Sequence, residues 1–342
     1  METTVLQELT ENECVVSCCL GVFENFQSEI VLVVGSARDL VLHPQTFSAA
    51  FITVMRIEGN NLITLHKTAV EALPLALCIF YGKLLTGIGK TIRLYEVGSK
   101  KLLRKSENKL TFPLSITHIR VHDERIFACD VSESFTVLRY NKEDKQIYAV
   151  ADDVIPRWVT DCCVLDHDTI AAVDKFENIV VSRVPPSCYD DVEQDASSIR
   201  YKWEVGYLGG AYFKLDQVAH FYLGELATSI QRAELTDGGA SVLLYGTTMG
   251  SLGALMPITR KEDVEFFVHL ELYMRLEAPP ICGREHLAFR SFYAPVSSTV
   301  DGDLCELFSS LSPDRQHAIS EELKKTPTEV LKKLEDFRNR IL

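Results

Sequence analysis

Residues 119–150 read IRVHDERIFACDVSESFTVLRYNKEDKQIYAV, and this stretch decides the fold class. An apolar run covers Arg125–Cys129, and further β-type runs cover Phe135–Tyr140 and Gln146–Val150, with polar turns between them. A similar run, Ser115–Val121, precedes them. Short β-rich runs separated by tight polar turns are typical of antiparallel strands joined in a meander. The stretch therefore predicts four consecutive antiparallel strands.

The same pattern recurs along the chain to about residue 258. We place the turn between the second and third strands of each copy at Gly35, Gly89, Asp130, Asp174 and Gly246. Glycine tolerates the positive φ of a tight turn, and aspartate accepts hydrogen bonds from the backbone of its own turn. Successive turns are 54, 41, 44 and 72 residues apart, and the last spacing contains the acidic segment 187–198. A period of about 40 to 45 residues with four strands per copy predicts a WD40-like β-propeller of about five blades. An ordinary β-sandwich with coincidental spacing is the alternative.

The composition is that of a folded, acidic chain. Its 342 residues are 46% hydrophobic, which is ample for a large core. The net charge of −13 repels a phosphate backbone and argues against a general grip on nucleic acid. The ten cysteines lie in runs typical of strand interiors, and the chain opens without a signal peptide. No apolar run approaches the ~18 residues of a membrane span. These features predict a soluble protein of the nucleus or cytosol with free thiols.

The pattern of apolar residues changes after residue 258 from strand spacing to helical spacing. We predict short helices there, over Asp263–Glu277, over His286–Tyr293, from Asp301 to Leu311, and from Pro313 and Pro327 onwards. This change divides the chain into propeller blades over residues 1–260 and a small C-terminal α-helical domain over residues 261–342. Within the propeller, the fourth copy runs from Pro156 to Val184 and the fifth from His220 to Ile258. The acidic segment 187–198 between them has no periodicity and reads as a loop insertion.

Several groups of residues resemble catalytic or ligand-binding motifs, but each has a structural explanation that we favour. Gly87–Thr91 looks like a phosphate loop, yet Leu84 stands where the P-loop needs its first glycine, and strands flank the segment. Residues 162–168 (CCVLDHD) are rich in metal-ligand types, yet they contain no C-x-x-C pair, and adjacent cysteines on a strand point to opposite faces. Asp130 and Asp174 recur at turns, which turn geometry explains better than acid–base chemistry. A propeller enzyme would need polar ligands that converge from several blades. The sequence therefore predicts no catalytic, metal or cofactor site and no enzyme.

Three segments are candidates for contact with a protein partner. The Phe112–Pro113 loop places apolar residues in a connection, Arg284–Arg290 carries cations beside the helices, and Pro295–Ser297 forms a loop. Two alternatives stay open, because the phenylalanine could pack into the core and the arginines could pair with carboxylates of the same chain. The predicted contact residues are Phe112, Pro113, Arg284, His286, Arg290, Pro295 and Ser297.

Several segments resemble a known family of proteins. They are DVSESFTVLRY (130–140), ADDVIPRWVT (151–160), PPICGREHLAFRSFY (279–293), DGDLCELF (301–308) and SEELKKTP (320–327). These segments resemble the C-terminal portion of the splicing factor 3B subunit 3 family, and the resemblance extends along essentially the whole chain. The damaged-DNA-binding large subunit and the large cleavage and polyadenylation subunit belong to the same wider family. They share the DGDL segment but are not expected to match PRWVT and CGREHLAFRS so fully.

The resemblance implies a fold and a role. It implies three β-propellers followed by a helical domain, of which this chain resembles only the final part, so we expect an incomplete propeller with open strand edges. It implies a non-enzymatic scaffold of the splicing factor 3b complex of the U2 small nuclear ribonucleoprotein, in the nucleus, which supports branch-site engagement and spliceosome assembly. The implied partners are the large HEAT-repeat subunit, a small helical subunit and a zinc-bearing PHD-finger-like subunit, with RNA reached only through the complex. The alternative is an adaptor in a ubiquitin-ligase and DNA-repair complex or in an mRNA 3′-end cleavage and polyadenylation complex.

Overall fold

The computed structural model describes residues 8–9, 11–26, 29–59, 61–188, 210–235 and 239–340. The chain separates into two compact units. The first comprises Met1–Val159, Asp166–Thr169 and Arg183–Asp216, and the second comprises Thr160–Leu165, Ile170–Ser182 and Gln217–Leu342. The domain boundary that we predict at residue 260 remains a prediction.

The strands of these residues form successive sheets in chain order. The first sheet holds β1 (Glu13–Val22), β2 (Ile30–Arg38), β3 (Ala49–Glu58) and β4 (Asn61–Val70). The second holds β5 (Pro74–Phe80), β6 (Lys83–Ile88), β7 (Thr91–Val97) and β8 (Leu102–Asn108). The third holds β9 (Ile116–His122), β10 (Arg125–Asp130), β11 (Phe135–Asn141) and β12 (Gln146–Asp152), with β16 (Phe213–Lys214) parallel to β12.

The third sheet confirms the prediction made from residues 119–150. Its four main strands pair antiparallel with their neighbours in chain order, and each lies within two residues of its predicted bounds. Phe127 on the second strand faces Arg120 on the first and Val137 on the third. Residues Ile126, Phe127 and Ala128 are fully buried, so both faces of this strand are covered. A strand covered on both faces reads as an apolar run, which is why Arg125–Cys129 shows no alternation.

The three sheets of the first unit stack through apolar faces, with β1 beside β5 and β5 beside β9. On β6, Leu84 packs toward the first sheet and Leu85 packs toward the third, because successive side chains of a strand point to opposite faces. The second sheet is thus an apolar layer between two others. Blades whose first strands adjoin and whose faces stack in this way form a propeller.

Glycines on the second strands allow the sheets to approach closely. A Cβ on Gly35 would lie 2.7 Å from the carbonyl oxygen of Pro74, and one on Gly87 would lie 2.7 Å from Cγ2 of Ile116. Our placement of a turn at Gly35 is therefore wrong, since β2 continues through it to Arg38. Gly246 likewise lies inside a strand, Ser241–Thr247. Gly89 does lie at a turn and has a φ of 53°.

The fourth sheet has the strand order β13 (Val159–Val164), β14 (Thr169–Asp174), β15 (Asn178–Arg183) and β17 (Asp216–Tyr222). The prediction that the fifth copy begins at His220 is therefore wrong, because that residue belongs to the last strand of the fourth sheet. The insertion after β15 hid this strand from the spacing, and residues 189–198 of the insertion lie outside the described residues. The fifth sheet has three described strands, β18 (Ala227–Glu234), β19 (Ser241–Thr247) and β20 (Leu252–Leu255).

The C-terminal part of the second unit is helical, as predicted. Its helices are α1 (Lys261–Glu277), α2 (His286–Arg290), α3 (Gly302–Glu306), α4 (Pro313–Glu322) and α5 (Pro327–Arg338). Helix α5 begins with a capping box, in which Thr326 and Glu329 each accept a hydrogen bond from the other's backbone N–H. Phe267, Leu270 and Met274 of α1 pack with Phe308 and Val330 in one core. Helix α2 ends at Arg290, three residues before the predicted end.

The strands and helices together confirm a mainly β chain that is consistent with a partial β-propeller followed by helices. Among the described residues, no helix has the length and apolar character required to cross a bilayer.

Replacing Gly87 by alanine tests the stacking of the sheets. The new methyl group would collide with Ile116, whose Cγ2 and Cβ would lie 2.7 and 2.8 Å away. We expect the free energy of unfolding, measured by urea denaturation, to fall by about 1–3 kcal/mol. Gly302→Ala is the matched control, because a Cβ there meets no atom within 4 Å. Equal stability of the two variants would contradict the close approach.

Candidate interaction surfaces

The first sheet leaves part of one face open, along β1 and at one end of β2 and β3, whereas Val34 and Met55 on the same face are buried. We call the exposed part the open face. On β1 and β2, Val15 pairs with Ser36, Leu20 with Leu32, and Val22 with Ile30, so these residues share a face. On β3, Ile57 extends this face beside Met55, which pairs with Leu32. The large exposed apolar residues of this open face are Val15, Leu20, Val22, Ile30 and Ile57, with exposed fractions of 41–58%. The opposite face carries Val31, Val33, Ile52 and Val54, which are all fully buried against the second sheet.

An exposed apolar face of this kind contrasts with the second sheet, which is covered on both faces. Fully burying one aliphatic side chain contributes about 1.5–3 kcal/mol. Contiguous exposed apolar patches mark association sites on soluble proteins. The open face is therefore a surface on which a further apolar layer can pack.

A second surface lies on three loops of the first unit that hydrogen bonds join. The carboxylate of Asp130 accepts from the N–H of Leu114 and of Ser132, both at 3.1 Å. The N–H of Ser134 donates to the carbonyl of Arg157 at 3.1 Å, and its hydroxyl donates to Asp153 at 2.6 Å. The loops that follow β8, β10 and β12 are thereby held in one arrangement.

A buried ion pair anchors the third of these loops. Arg157 Nε donates to Asp153 Oδ2 at 3.1 Å, and the two side chains are only 3% and 4% exposed. Removing one partner of a buried pair leaves an uncompensated charge, so such a pair fixes the local conformation. The residues between and after the pair, Val154, Ile155 and Trp158, consequently point away from it and remain 39–65% exposed.

These loops display apolar side chains that we call the Trp158 patch. Its members are Leu110, Leu114, Val154, Ile155 and Trp158. Of the two residues that the sequence analysis selected here, Phe112 is 3% exposed and packs into the core, whereas Pro113 is exposed. The phenylalanine thus anchors the loop, and its neighbours provide the accessible surface. Tryptophan is enriched among residues that dominate binding energy at interfaces.

A charged cluster in the second unit ties the helices to the end of β17. The Asp301 carboxylate accepts from Arg290 Nε at 2.7 Å and lies 2.9 Å from His286 Nε2. Arg290 also donates to the carbonyls of Tyr222 and Leu223, at 3.1 and 2.9 Å. We call Asp301, Arg290 and His286 the Asp301 cluster. Arg290 and His286, both predicted to contact partners, are engaged within the chain.

The cluster stabilises the ionised form of Asp301. Burial opposes this, but the charge and hydrogen bond of Arg290, together with the N–H of Leu304, outweigh burial and lower the pKa of the Asp301 carboxyl. The same carboxylate also caps α3, because its Oδ1 atom accepts a hydrogen bond from the N–H of Leu304 at 3.2 Å. For Asp303, burial and the charge of Asp301 raise the pKa. One carboxylate thus serves as ion-pair partner and helix cap.

The exposed arginine of the predicted set lies elsewhere, beside aromatic rings. The Arg284 guanidinium is 4.1 Å from the ring centroid of Phe292. Tyr293 stacks on Phe176 with the centroids 5.0 Å apart and an interplanar angle of 10°. We call Phe176, Arg284, Phe292 and Tyr293 the aromatic–arginine surface, and each is more than one-third exposed. Exposed aromatic rings and arginine are the side-chain types enriched at protein interfaces.

The last predicted segment, Pro295–Ser297, lies beside β17. Ser297 exchanges two backbone hydrogen bonds with His220, at 3.1 and 2.9 Å. Pro295 is exposed and Ser297 is half-buried. The bridge fixes the loop, and Pro295 is its accessible residue.

Two of the motifs set aside in the sequence analysis, the Gly87–Thr91 segment and the recurring aspartates, have the structural roles that we favoured. Gly87–Thr91 is the hairpin between β6 and β7. Asp174 caps its turn, with Oδ1 accepting from the N–H of Phe176 at 2.9 Å and of Asn178 at 3.0 Å. Cys162 is buried, whereas Cys163 is half-buried on the same strand. The recurrence of aspartate at these positions is therefore explained by the hydrogen bonds that its carboxylate accepts within the turn.

The open face and most of the Trp158 patch were not predicted from the sequence. Alternation along β1 indicates two faces but does not tell which of them a neighbouring sheet covers. The apolar Val154, Ile155 and Trp158 in a Pro-containing loop were a usable signal, because large apolar residues in connections are candidates for contact.

Comparison with known proteins assigns the chain to a group of relatives. Residues 2–310 match the family model described as the CPSF A subunit region. The chain is 46% identical over 343 aligned residues to spliceosome-associated protein 130 A of Arabidopsis thaliana, and 45% identical over 340 to splicing factor 3B subunit 3 of Danio rerio. It is 40% identical over 334 residues to pre-mRNA-splicing factor prp12 of Schizosaccharomyces pombe. These alignments cover 97–99% of the chain but 28% of each relative, so the chain spans little more than a quarter of their length.

Asp301→Asn tests the charged cluster. The variant leaves the Arg290 guanidinium without its counter-charge in a site where Asp301 is 4% exposed. We expect the free energy of unfolding at neutral pH to fall by about 3 kcal/mol, the lower end for breaking a buried pair. The matched control Asp336→Asn, on the exposed side of α5, should change it by less than about 0.5 kcal/mol.

The pH dependence of this loss has a defined sign. The pKa of Asp301 in the folded chain lies below its ordinary value of 3.8. Its contribution to stability is therefore complete above that value and disappears as the pH falls through the folded pKa. The difference between wild type and Asp301→Asn should shrink below about pH 4. A difference that stays constant between neutral pH and about pH 3 would show that the carboxylate charge is not responsible.

Proposed function

Because the chain belongs to the family of CPSF A subunit regions, we propose that it works as a non-enzymatic scaffold of the splicing factor 3b complex in the nucleus. In this role it supports branch-site engagement by the U2 small nuclear ribonucleoprotein and the assembly of the spliceosome. Its partners are the large HEAT-repeat subunit, the small helical subunit and the PHD-finger-like subunit. RNA is reached through the complex.

One observation carries the proposal. Nearly the whole chain aligns at 39–46% identity with proteins named spliceosome-associated protein 130, splicing factor 3B subunit 3 or pre-mRNA-splicing factor. These names describe subunits of splicing assemblies, which are in general not catalysts.

The surfaces of the chain support a scaffold role. The open face and the Trp158 patch together present ten large apolar side chains to solvent. An apolar patch rimmed by polar residues is the usual form of a protein-binding surface. The net charge of −13 disfavours direct contact with the RNA backbone and leaves protein contacts as the basis of assembly.

Each surface has a role in the proposed assembly. The open face packs against further apolar layers of the scaffold, because it matches the buried faces of the other sheets. The Trp158 patch with Pro113, and the aromatic–arginine surface with Pro295, contact separate subunits. Phe112, His286, Arg290 and Ser297 contribute to these contacts by holding the loops in place.

Trp158→Ala tests the proposed contact. The chain carries an affinity tag, is expressed in cells, and is recovered from nuclei to measure the splicing factor 3b subunits that copurify. We expect the variant to recover them at least about tenfold less well, because truncating a central interface tryptophan costs about 2 kcal/mol or more. Leu103→Ala is the control, since Leu103 is 40% exposed on β8 and lies outside the patch.

Two outcomes of this experiment would contradict different parts of the proposal. Equal recovery by wild type and Trp158→Ala would remove the patch from the proposal while leaving the scaffold role in place. Recovery of ubiquitin-ligase or polyadenylation subunits in place of splicing subunits would overturn the scaffold role itself and favour the adaptor alternative.

A further inference from the structure

Two turns of the first unit bring three possible metal ligands together. His122 is the last residue of β9, Asp123 lies in the turn between β9 and β10, and His167 lies in the turn between β13 and β14. Asp123 Oδ2 is 3.2 Å from His122 Nδ1 and 3.8 Å from His167 Nδ1. One ligand atom from each residue lies within 4.8 Å of the other two. The two histidines are 45 residues apart in sequence, so only the fold brings them together.

An arginine holds the two turns in this arrangement. Arg125, at the start of β10, donates to the carbonyl of His167 at 3.1 Å and forms an ion pair with Asp168. The second turn is closed by Asp166, which accepts from the N–H of Asp168 at 2.8 Å. His167 is therefore positioned by contacts of its own backbone and of its neighbours. This support leaves the imidazole side chain directed at Asp123.

The charges around the three residues favour a cation. Glu124 pairs with Arg139, and Asp168 pairs with Arg125, so each of these carboxylates has a cationic partner. In the described part of the chain, Asp123 has no Lys or Arg partner, lies beside the two imidazoles and is 72% exposed. The histidines are 43% and 48% exposed, which leaves room for an ion to enter from solvent.

The donor set fits a borderline divalent transition metal. Imidazole nitrogen and carboxylate oxygen both bind Zn²⁺ at about 2.0–2.2 Å. In a tetrahedral site these bonds place neighbouring ligand atoms roughly 3.3 Å apart. The two distances to Asp123, 3.2 and 3.8 Å, are near this value, and the imidazole ligand atoms lie within 4.8 Å of each other on exposed side chains.

We propose that His122, Asp123 and His167 form a binding site for one Zn²⁺-like ion. Three protein ligands leave at least one coordination position, which water or a donor from another molecule fills. The ion would link the two turns and add to the hold that Arg125 already exerts. The site is independent of the proposed scaffold role.

Isothermal titration of the full chain with ZnCl₂, after removal of any histidine tag, tests the proposal. We expect one Zn²⁺ per chain, counted per polypeptide so that association of chains does not alter the value. His122→Asn, His167→Asn and Asp123→Asn should each weaken binding by about tenfold or more. The matched control His317→Asn, on the exposed surface of α4, should bind like wild type. Circular dichroism compares the folds of the variants.

Cobalt provides an independent readout of the ligands. Substituted Co²⁺ should give the visible absorption bands of a tetrahedral or five-coordinate site, and these bands should disappear in the His122→Asn variant. The proposal is overturned if wild type binds no Zn²⁺, or if all three variants bind it as wild type does. Because the three side chains are exposed, at least one folded variant is expected for the comparison.

Discussion

The structure depends on apolar sheet faces that must be covered by neighbouring sheets. Within the first unit, the second sheet directs Leu84 to one neighbour and Leu85 to the other, so both of its faces are buried. The sheets approach so closely that Gly35 and Gly87 have no room for a side chain. Burial of apolar surface is the dominant favourable term in folding, and close packing turns it into a defined geometry.

In the described residues, a neighbouring sheet covers the first sheet on one face only. Val31 and its neighbours are covered by the second sheet, whereas Leu20 and Ile30 on the other face remain more than half exposed. The chain spans 28% of the length of the relatives it matches, so those proteins contain further polypeptide beyond the aligned part. The burial of apolar surface, which stacks the sheets, therefore also favours assembly. Loops fixed by buried groups, such as Arg157 with Asp153, add surfaces for separate subunits.

Much of the fold could be predicted from the sequence, because local patterns encode it. The runs around Phe135–Tyr140 and the capping residues before α5 act through neighbours close in sequence. Gly35 was misread because a glycine required by a positive φ and one required by a neighbouring sheet look the same in a sequence. The surfaces were harder to predict, since Arg284 and Arg290 differ only in which tertiary partners they meet. The approach of His122 to His167 likewise depends on the packing of distant turns.

Light scattering of the chain alone, combined with a thermal melt, shows whether the open face drives association. We expect the chain to associate through its open face at micromolar concentration. Leu20→Lys combined with Ile30→Glu should restore a monomer, because both residues belong to that face and are 58% and 53% exposed. A monodisperse wild-type monomer that unfolds in one cooperative transition would contradict the account, since the open face would then need no further layer.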